Sequence, residues 1–300
     1  MTTTTQPIVA STTNTAQALT AVRRSNPLRR HAGLWVTRLI LWVIIAVFLF
    51  PVLYVVLYSF KAGAQSLFSP NLFPTEYGLE NYQRLLRGSF PTWAMNSLIY
   101  GLSCAIITVF FSTLGGYAFS RLRFRGRRYG ILALLIVQAL PTNLAIVAFF
   151  WMLNYVGLYS TRTGLILILG FGGSALSVWL MRNFMESIPK DLDEASYLDG
   201  GTTFTTFYQI ILPLVLPMLV AQFIFSFIGV YNEYILTSIL IANDDLYPLG
   251  VGVRTFSTQF ANQWTTFCAA AVLGSIPILI IFFVAQRFLV EGLTRGAIKG

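Results

Sequence analysis

The sequence predicts an all-α membrane protein with six transmembrane helices and one short helix outside the membrane. Of its 300 residues, 56% are hydrophobic and only 10% are charged, whereas a soluble domain carries roughly 25% charged residues. Six apolar runs each approach or exceed the length of about 20 residues that a helix needs to cross the hydrocarbon core. These runs account for most of the chain, and the charged residues lie mainly between them.

The composition excludes several kinds of chemistry. The chain has one histidine, His31, and two cysteines, Cys104 and Cys268, which lie in separate apolar runs. A zinc site or a disulfide framework is therefore not expected. The phosphate-loop pattern G-x-x-x-x-G-K-S/T is absent, so we expect no ATP hydrolysis and no bound cofactor in this chain. The net charge of +9 indicates membrane orientation rather than nucleic-acid binding, because the basic residues flank apolar runs.

The N-terminal segment, residues 1–33, is predicted to be disordered, threonine-rich, basic and cytoplasmic. It has eight threonines before residue 23, and four arginines follow them. The apolar run at 34–60 is too long for the core of a signal peptide, and no small-residue cleavage site follows it. We therefore expect this run to remain as the first transmembrane helix.

Residues 61–93 are predicted to form an extracytoplasmic loop. The spacing of Leu79, Tyr82, Leu85 and Leu86 favours one short amphipathic helix within it. Residues 94–289 form the predicted transmembrane core of five helices, and residues 290–300 form a cytoplasmic tail. The five predicted spans of the core are 94–120, 130–153, 164–183, 213–242 and 267–289.

The basic residues predict the orientation. With six spans, fifteen basic residues fall on the side of the two termini and five on the other side. Basic residues are enriched in cytoplasmic loops. We therefore expect a multi-pass protein of the cell inner membrane with both termini in the cytoplasm.

The cytoplasmic loop 184–212 contains the pattern of a short helix. Pro189 suits the first helical position, and the carboxylates of Asp191, Asp193 and Glu194 suit the positive end of the helix dipole. Gly200 and Gly201 then end a helix of about ten residues, because glycine accepts the left-handed conformation common at helix C-termini.

A second helix is predicted directly after the glycines. Thr202 or Thr203 caps it, and it runs to Pro213. A short helix between two membrane spans has too little apolar surface to fold alone, which indicates a docking element. An ordinary amphipathic connector is the alternative.

This loop carries a resemblance to a known family. Glu194-Ala195-Ser196, Gly200 and Ile210-Ile211-Leu212-Pro213 resemble the E-A-A-x-x-x-G-x9-I-x-L-P motif of permease subunits of ABC importers. The departure is Ser196, where the motif has a second alanine. The stretches 118–126, 226–233 and 286–300 resemble the carbohydrate-importer permeases of the maltose/maltodextrin class, and the resemblance covers residues 33–300.

The resemblance implies the ABC type I importer permease fold and a set of partners. In this family two different permeases pair over two ATPase subunits, which bind ATP and Mg, and an extracytoplasmic sugar-binding protein delivers the substrate. The loop helix would be the coupling helix that contacts the ATPase, and the C-terminal tail would reach the ATPase interface. The coupling residues implied here are Glu194, Ala195, Ser196, Leu198, Asp199 and Gly200. The tail residues implied are Gly292, Leu293, Thr294 and Lys299.

Polar residues inside the spans are candidates for lining a translocation path. Glu233 is the only carboxylate within a predicted span, and such groups usually face a partner or a wet cavity. With Tyr231, Asn232, Gln138 and Asn143 it offers the stacking faces and hydrogen-bonding groups that a sugar requires.

Two alternatives stay open at these positions. Glu233 is equally compatible with a structural bond to Arg254 or to a backbone N–H. The other intramembrane polar residues are more typical of hydrogen bonds between helices. These further polar residues are Gln138, Thr142, Asn143, Ser174 and Ser177.

The leading interpretation is a transport subunit without enzymatic activity of its own. The alternative is a secondary transporter or channel driven by an ion gradient, with Glu233 as its proton or cation site. A structural anchor for a membrane enzyme complex is a third interpretation, which fits the docking loop but does not require the intramembrane polar residues.

Overall fold

The computed structural model describes residues 27–62, 73, 76–139, 142–258 and 263–297. In these residues the regular structure is helical, apart from one isolated β-bridge between Lys61 and Tyr77. The all-α prediction is confirmed. Residues 1–26, which form most of the predicted disordered segment, lie outside the described residues.

The described residues form twelve helices, numbered here in chain order. They are α1 (Pro27–Ser59), α2 (Glu80–Arg87), α3 (Phe90–Arg121), α4 (Arg127–Ala139), α5 (Ile146–Tyr155), α6 (Arg162–Gly172), α7 (Ser174–Glu186), α8 (Asp191–Leu198), α9 (Thr203–Tyr231), α10 (Ile235–Leu240), α11 (Leu249–Thr258) and α12 (Trp264–Ala297).

Five helical segments of the described chain are long and apolar enough to cross a membrane, against six predicted spans. They are Leu34–Ser59, Phe90–Arg121, Arg162–Glu186, Thr203–Tyr231 and Trp264–Gln286. The difference is the predicted span 130–153, which the structure divides into α4 and α5 with a short 3₁₀ turn, Thr142–Ala145, before α5. The sequence places Pro141 between the two helices. Proline lacks the N–H that a continuous helix would use at this point.

The predicted span 213–242 is displaced along the chain. The helix α9 begins at Thr203 and continues through Pro213, so the expected break at Pro213 is wrong. Residues Thr206–Ile211 form a turn of π-helix just before this proline. Such a turn accommodates the missing proline N–H without ending the helix.

The same span ends earlier than predicted because Glu233 starts a new helix. Its Oε1 accepts a hydrogen bond from the Leu236 N–H at 2.8 Å, and its Oε2 accepts one from the Thr237 N–H at 2.9 Å. These are the free N–H groups of the first turn of α10, and a side chain that binds them acts as a helix cap. The chain therefore leaves α9 at Tyr231.

The short amphipathic helix predicted in the loop 61–93 is confirmed as α2, and buried Asn81 fixes it in place. The Asn81 amide donates to the carbonyl oxygens of Ser59 and Lys61, and its Oδ1 accepts from the hydroxyls of Thr265 and Thr266. The loop ends sooner than predicted, because α3 begins at Phe90 with a proline in its first turn.

The helix α3 is central to the packing of residues 55–297. Its side chains belong to all three apolar clusters: Trp93 and Ala105 to the first, Tyr100 to the second and Tyr117 to the third. The buried face of α3 otherwise consists largely of small or polar residues. Membrane helices pack closely through such residues.

Two glycines of α3 mark the closest approaches. A Cβ atom at Gly101 would lie 2.7 Å from the ring of Phe227 in α9, and one at Gly116 would lie 2.6 Å from Cγ of Met181 in α7. At Gly116 the backbone nitrogen of Arg182 would also lie within 3.1 Å. The helices α7 and α9 therefore pack against α3 at distances that only glycine allows.

We predict that Gly116→Val lowers the stability of the folded protein by about 1–3 kcal/mol, because overpacking forces neighbouring groups to shift. The measurement is the thermal unfolding midpoint of the purified protein. Gly229→Val is the matched control, since a Cβ at Gly229 meets nothing within 4 Å. Equal midpoints for the two variants would contradict the close packing of α3 against α7.

Candidate coupling surface and membrane cavities

The helix α8 has the sequence of the predicted docking element and slightly shorter bounds. It begins at Asp191, with Lys190 as the preceding cap residue, so Pro189 does not occupy the first helical position. Asp191, Asp193 and Glu194 lie in its first turn as predicted. There the partial positive charge of the helix end stabilises carboxylates.

The helix ends in the left-handed turn that the glycines predicted. The backbone of Gly200 has φ +82°, and a Cβ at this residue would meet nothing within 4 Å. Gly201 has a different role, because a Cβ there would lie 2.6 Å from Oγ of Ser196. The side chain of Thr202 then accepts a hydrogen bond from the Thr205 N–H, which confirms Thr202 as the cap of the next helix.

A buried ion pair connects α8 to the end of α3. Arg121 Nε lies 2.8 Å from Asp193 Oδ2, and the two side chains are only 6% and 11% exposed. Arg121 Nη2 also donates to the carbonyl of Ile188 at 2.9 Å. Burial raises the pKa of the Asp193 carboxyl above its ordinary value, and the Arg121 guanidinium partly opposes this shift.

A second set of contacts connects α8 to α9. The hydroxyls of Ser196 and Thr206 are 2.9 Å apart, and Thr206 also donates to the carbonyl of Thr202. The Tyr117 hydroxyl of α3 donates to the carbonyl of Thr203 at 3.1 Å. Ser196, the one departure from the family motif, is buried, and its hydroxyl is hydrogen-bonded to that of Thr206.

The opposite face of α8 is exposed, and it is both apolar and acidic. Leu198 is 89% exposed, and Tyr197 and Leu192 are also exposed. Among the predicted coupling residues, Glu194, Ala195, Leu198, Asp199 and Gly200 lie on this outer surface, whereas Ser196 points inward. Three exposed apolar side chains on one short loop helix are compatible with a surface that a partner covers.

Two of the predicted path residues line one cavity. Gln138 and Glu233 border a space of about 680 Å³ together with Ser177, Gln222 and Ser226. Gln222 is buried, accepts from the Ser112 hydroxyl at 2.7 Å and donates to the Ser177 carbonyl at 2.8 Å. The hydrogen bonds of Glu233 to the start of α10 match the structural alternative of a backbone partner.

The other predicted path residues lie elsewhere. Tyr231 and Asn232 border a separate cavity of about 630 Å³ beside α11 and α12. The Tyr231 side chain is buried, and its hydroxyl donates to the Gly274 carbonyl at 2.9 Å. The side chain of Asn143 lies outside the described residues. The structure therefore does not bring these five residues together at one site.

At Ser174 and Ser177, where hydrogen bonds between spans are expected, the hydroxyls bond instead within the single span Arg162–Glu186. Ser174 donates to the Gly170 carbonyl and Ser177 to the Gly173 carbonyl. Both acceptors lie four residues earlier in the chain, which is a common bond for serine in apolar helices. Bonds between spans in this part of the bundle include those of Thr108, Ser112 and Gln222.

The predicted tail continues the last helix. The helix α12 runs to Ala297, beyond the predicted end of the span at residue 289. Gly292, Leu293 and Thr294 belong to this helix, but their side chains lie outside the described residues. Lys299 lies entirely outside the described residues.

Comparison with known proteins decides the family. Residues 112–295, which include α8 and all the residues that line the two cavities except Thr108, match the family described as “Binding-protein-dependent transport system inner membrane component”. The chain belongs to this family. It is a multi-pass membrane protein, in agreement with the five long apolar helical segments among the described residues.

Curated relatives extend the similarity to most of the chain. It is 37% identical to the maltose/maltodextrin transport system permease protein MalG of Vibrio vulnificus, over 89% of this chain and 96% of that protein. It is 34% identical to the maltodextrin transport system permease protein MalD of Streptococcus pneumoniae, over 93% of this chain and all of that protein. These relatives are named as permeases, that is, as transport subunits.

A solved structure shows the same fold. A chain of a bacterial ABC transporter involved in the import of the acidic polysaccharide alginate superposes with a TM-score of 0.75. The match covers 88% of this chain and 98% of that chain, at 24% identity. The permease fold inferred from the loop motif is confirmed.

Sequence reasoning identified α8 in this permease but missed the residues that hold it. Arg121 was counted only as a basic residue that sets orientation, and Asp193 only as a charge at a helix end. Their separation of 72 positions leaves no signal in a single sequence. The Tyr117–Thr203 bond spans 86 positions and is hidden for the same reason.

We predict that Asp193→Asn loosens α8, because it leaves the Arg121 charge buried without a counter-ion. Breaking a buried pair in this way costs roughly 3–5 kcal/mol. Hydrogen exchange at the amides of Gly201 and Thr206 should become at least tenfold faster. Asp191→Asn is the control, since Asp191 is exposed in the same helical turn. Equal exchange in the two variants would show that the ion pair does not hold the loop.

Proposed function

We propose that this chain is one transmembrane permease subunit of an ATP-driven ABC importer and that the cargo is a sugar of the maltose/maltodextrin class. The observation that carries the proposal is α8, where the motif residues form an anchored helix with an exposed apolar and acidic face. The names of the curated relatives support the sugar class.

The contacts of α8 suit the transmission of force. A separate ATPase subunit that binds the exposed face would act on α3 through the Arg121–Asp193 pair and on α9 through the Ser196–Thr206 contact. Because both helices cross the membrane, a movement of α8 would reach the spans directly. The exposed carboxylates of Asp191, Glu194 and Asp199 favour an ATPase groove with an apolar floor and a basic rim.

The remaining partners follow from the family. We propose a heterodimer with a second permease, two ATPase subunits that bind ATP and Mg, and an extracytoplasmic sugar-binding protein. No cofactor is proposed for this chain itself. Gly292, Leu293, Thr294 and Lys299, at the end of α12, are proposed to reach the interface of the ATPase subunits.

The cavity of about 680 Å³ is the better candidate for the sugar path in this subunit. It combines hydrogen-bonding groups of Gln138, Gln222 and Glu233 with the exposed ring of Phe225. Rings and amides of this kind bind the C–H face and the hydroxyls of a sugar. Tyr231 borders the other cavity and is not among the residues that line this one.

The ion-gradient alternative loses its main support. It depended on Glu233 as a proton or cation site, and both oxygens of this carboxylate accept hydrogen bonds from the start of α10. Membership of a binding-protein-dependent family also favours import driven by a separate ATPase.

The proposed orientation, with both termini in the cytoplasm, is tested with introduced cysteines. Ser89 and Ser187 are exposed at opposite ends of the bundle segment α3–α7. The native Cys104 and Cys268 are buried, so they contribute little background labelling. We predict that Ser89→Cys reacts with an impermeant maleimide in intact cells and that Ser187→Cys reacts only after permeabilisation. The reverse pattern would overturn the orientation and the coupling role of α8.

The proposed function is tested by transport through the assembled complex, with Gly200 as the probe of coupling. The wild-type complex should take up labelled maltose or maltodextrin in the presence of the binding protein and ATP. We predict that Gly200→Val inserts normally but binds the ATPase weakly and transports little. A β-branched residue in the left-handed conformation costs roughly 1–2 kcal/mol, and relief of that strain would change the angle between α8 and α9.

Gly200→Asn is the matched control. Asparagine tolerates the left-handed conformation, and the space around residue 200 accepts either side chain. Full uptake with Gly200→Val would show that α8 does not transmit the motion of the ATPase. Failure of the wild-type complex to respond to these sugars would instead contradict the proposed cargo.

A further inference from the structure

The turn between α3 and α4 forms a basic pocket of about 480 Å³ that the transport mechanism does not use. Its walls carry guanidinium groups and apolar side chains side by side. The residues that line it are Phe124, Gly126, Arg127, Arg128, Tyr129, Ile131 and Arg182.

One carboxylate is shared by two arginines of the basic pocket. Glu186 Oε1 lies 3.1 Å from Arg127 Nη2 and 2.7 Å from Arg182 Nη2. Arg127 is held further by bonds from Nε to the Phe119 carbonyl and from Nη2 to the Ser120 carbonyl. The group therefore keeps an excess positive charge in a fixed position.

Three further arginines add to this charge. Arg123, Arg125 and Arg128 are exposed, and in the part of the chain that the structure describes none of them forms an ion pair. They differ in this from Arg121, which forms an ion pair with Asp193. Exposed arginines that are not paired within the chain remain available to an anionic ligand.

The position of the basic pocket points to the surface of the bilayer. It follows directly on the membrane span Phe90–Arg121, and no residue of α4 is buried in this structure. The ring of Tyr129 is 76% exposed, and that of Phe124 is also exposed. Aromatic side chains of this kind are enriched at the level of the lipid headgroups.

We propose that the basic pocket binds the headgroup phosphate of an anionic phospholipid such as phosphatidylglycerol. Guanidinium groups bind phosphate oxygens in a bidentate manner, and the apolar walls of Phe124 and Ile131 suit the glycerol and the first acyl carbons. A zwitterionic lipid carries no net charge to match the excess arginines. The proposal requires only that the chain spans a membrane and does not depend on the cargo.

The test uses the complete transporter complex, purified through this chain and reconstituted in nanodiscs of phosphatidylcholine with phosphatidylglycerol. The readout is the retention of phosphatidylglycerol on the complex in native mass spectrometry. Each arginine near an anionic surface contributes roughly fivefold to affinity. Replacing Arg125 and Arg128 together by glutamine should therefore weaken retention by roughly 25-fold.

Arg87→Gln is the matched control, because Arg87 is also exposed but precedes the opposite end of α3. It should leave retention unchanged. The pair Arg125→Lys and Arg128→Lys keeps the charge of the loop but not the bidentate guanidinium groups. Its retention should therefore lie between that of the glutamine pair and that of the wild type. Cysteine labelling at Ser187 confirms that the glutamine variant keeps its orientation.

Competition distinguishes a lipid from free phosphate. Short-chain phosphatidylglycerol should displace the bound lipid, whereas inorganic phosphate at equal ionic strength should not. Equal displacement by inorganic phosphate would overturn the lipid assignment. Weak retention of phosphatidylglycerol by the wild-type complex would overturn the site, and this is the result expected if a second subunit covers the pocket. Equal losses of retention for the glutamine pair and for Arg87→Gln would also overturn it.

Discussion

Close packing against the small and polar face of α3 is the constraint on which most of this structure depends. Inside a membrane, apolar side chains gain little by leaving lipid for protein, so association relies on close contact and on hydrogen bonds. Gly101 and Gly116 supply the contact, since neither position has room for a Cβ atom. Thr108 and Ser112 supply hydrogen bonds to α6 and α9.

The same helix holds both ends of the bundle. At one end the Asn96 amide donates to the carbonyls of Asp245 and Tyr247, and Ser97 accepts from the Leu249 N–H. At the other end Arg121 and Tyr117 hold α8 and the start of α9. A helix with contacts at both ends therefore connects the loop before α11 to α8. This arrangement suits an importer, which has to relate events on the two sides of a membrane.

Glu233 shows that one polar residue inside the bundle can both stabilise a helix and border a cavity. From sequence, Glu233 is equally compatible with a transport site and with a structural bond, because a carboxylate in a span is costly and needs a partner or a wet cavity. In the structure it binds two backbone N–H groups at the start of α10. Glu233 also borders the larger cavity, together with Gln138. The hydrogen bonds of Glu233 to the start of α10 therefore hold one wall of that cavity in place. A structural role and a position at the cavity wall are therefore compatible in one residue.

The sequence by itself determined the class of the protein, its apolar helices, the family motif in α8 and the left-handed glycine that ends this helix. These features are local, because hydrophobic run length, helix-capping residues and glycine patterns act within a few turns of chain. Tertiary structure alone decided what holds α8 and how the polar residues are distributed. The Arg121–Asp193 pair and the Tyr117–Thr203 hydrogen bond join residues far apart in sequence. Tyr231 and Gln138, which the sequence suggested as one set, border different cavities. Only the packing of the helices sets which of these distant groups face each other, and a single sequence does not encode that packing in any local pattern.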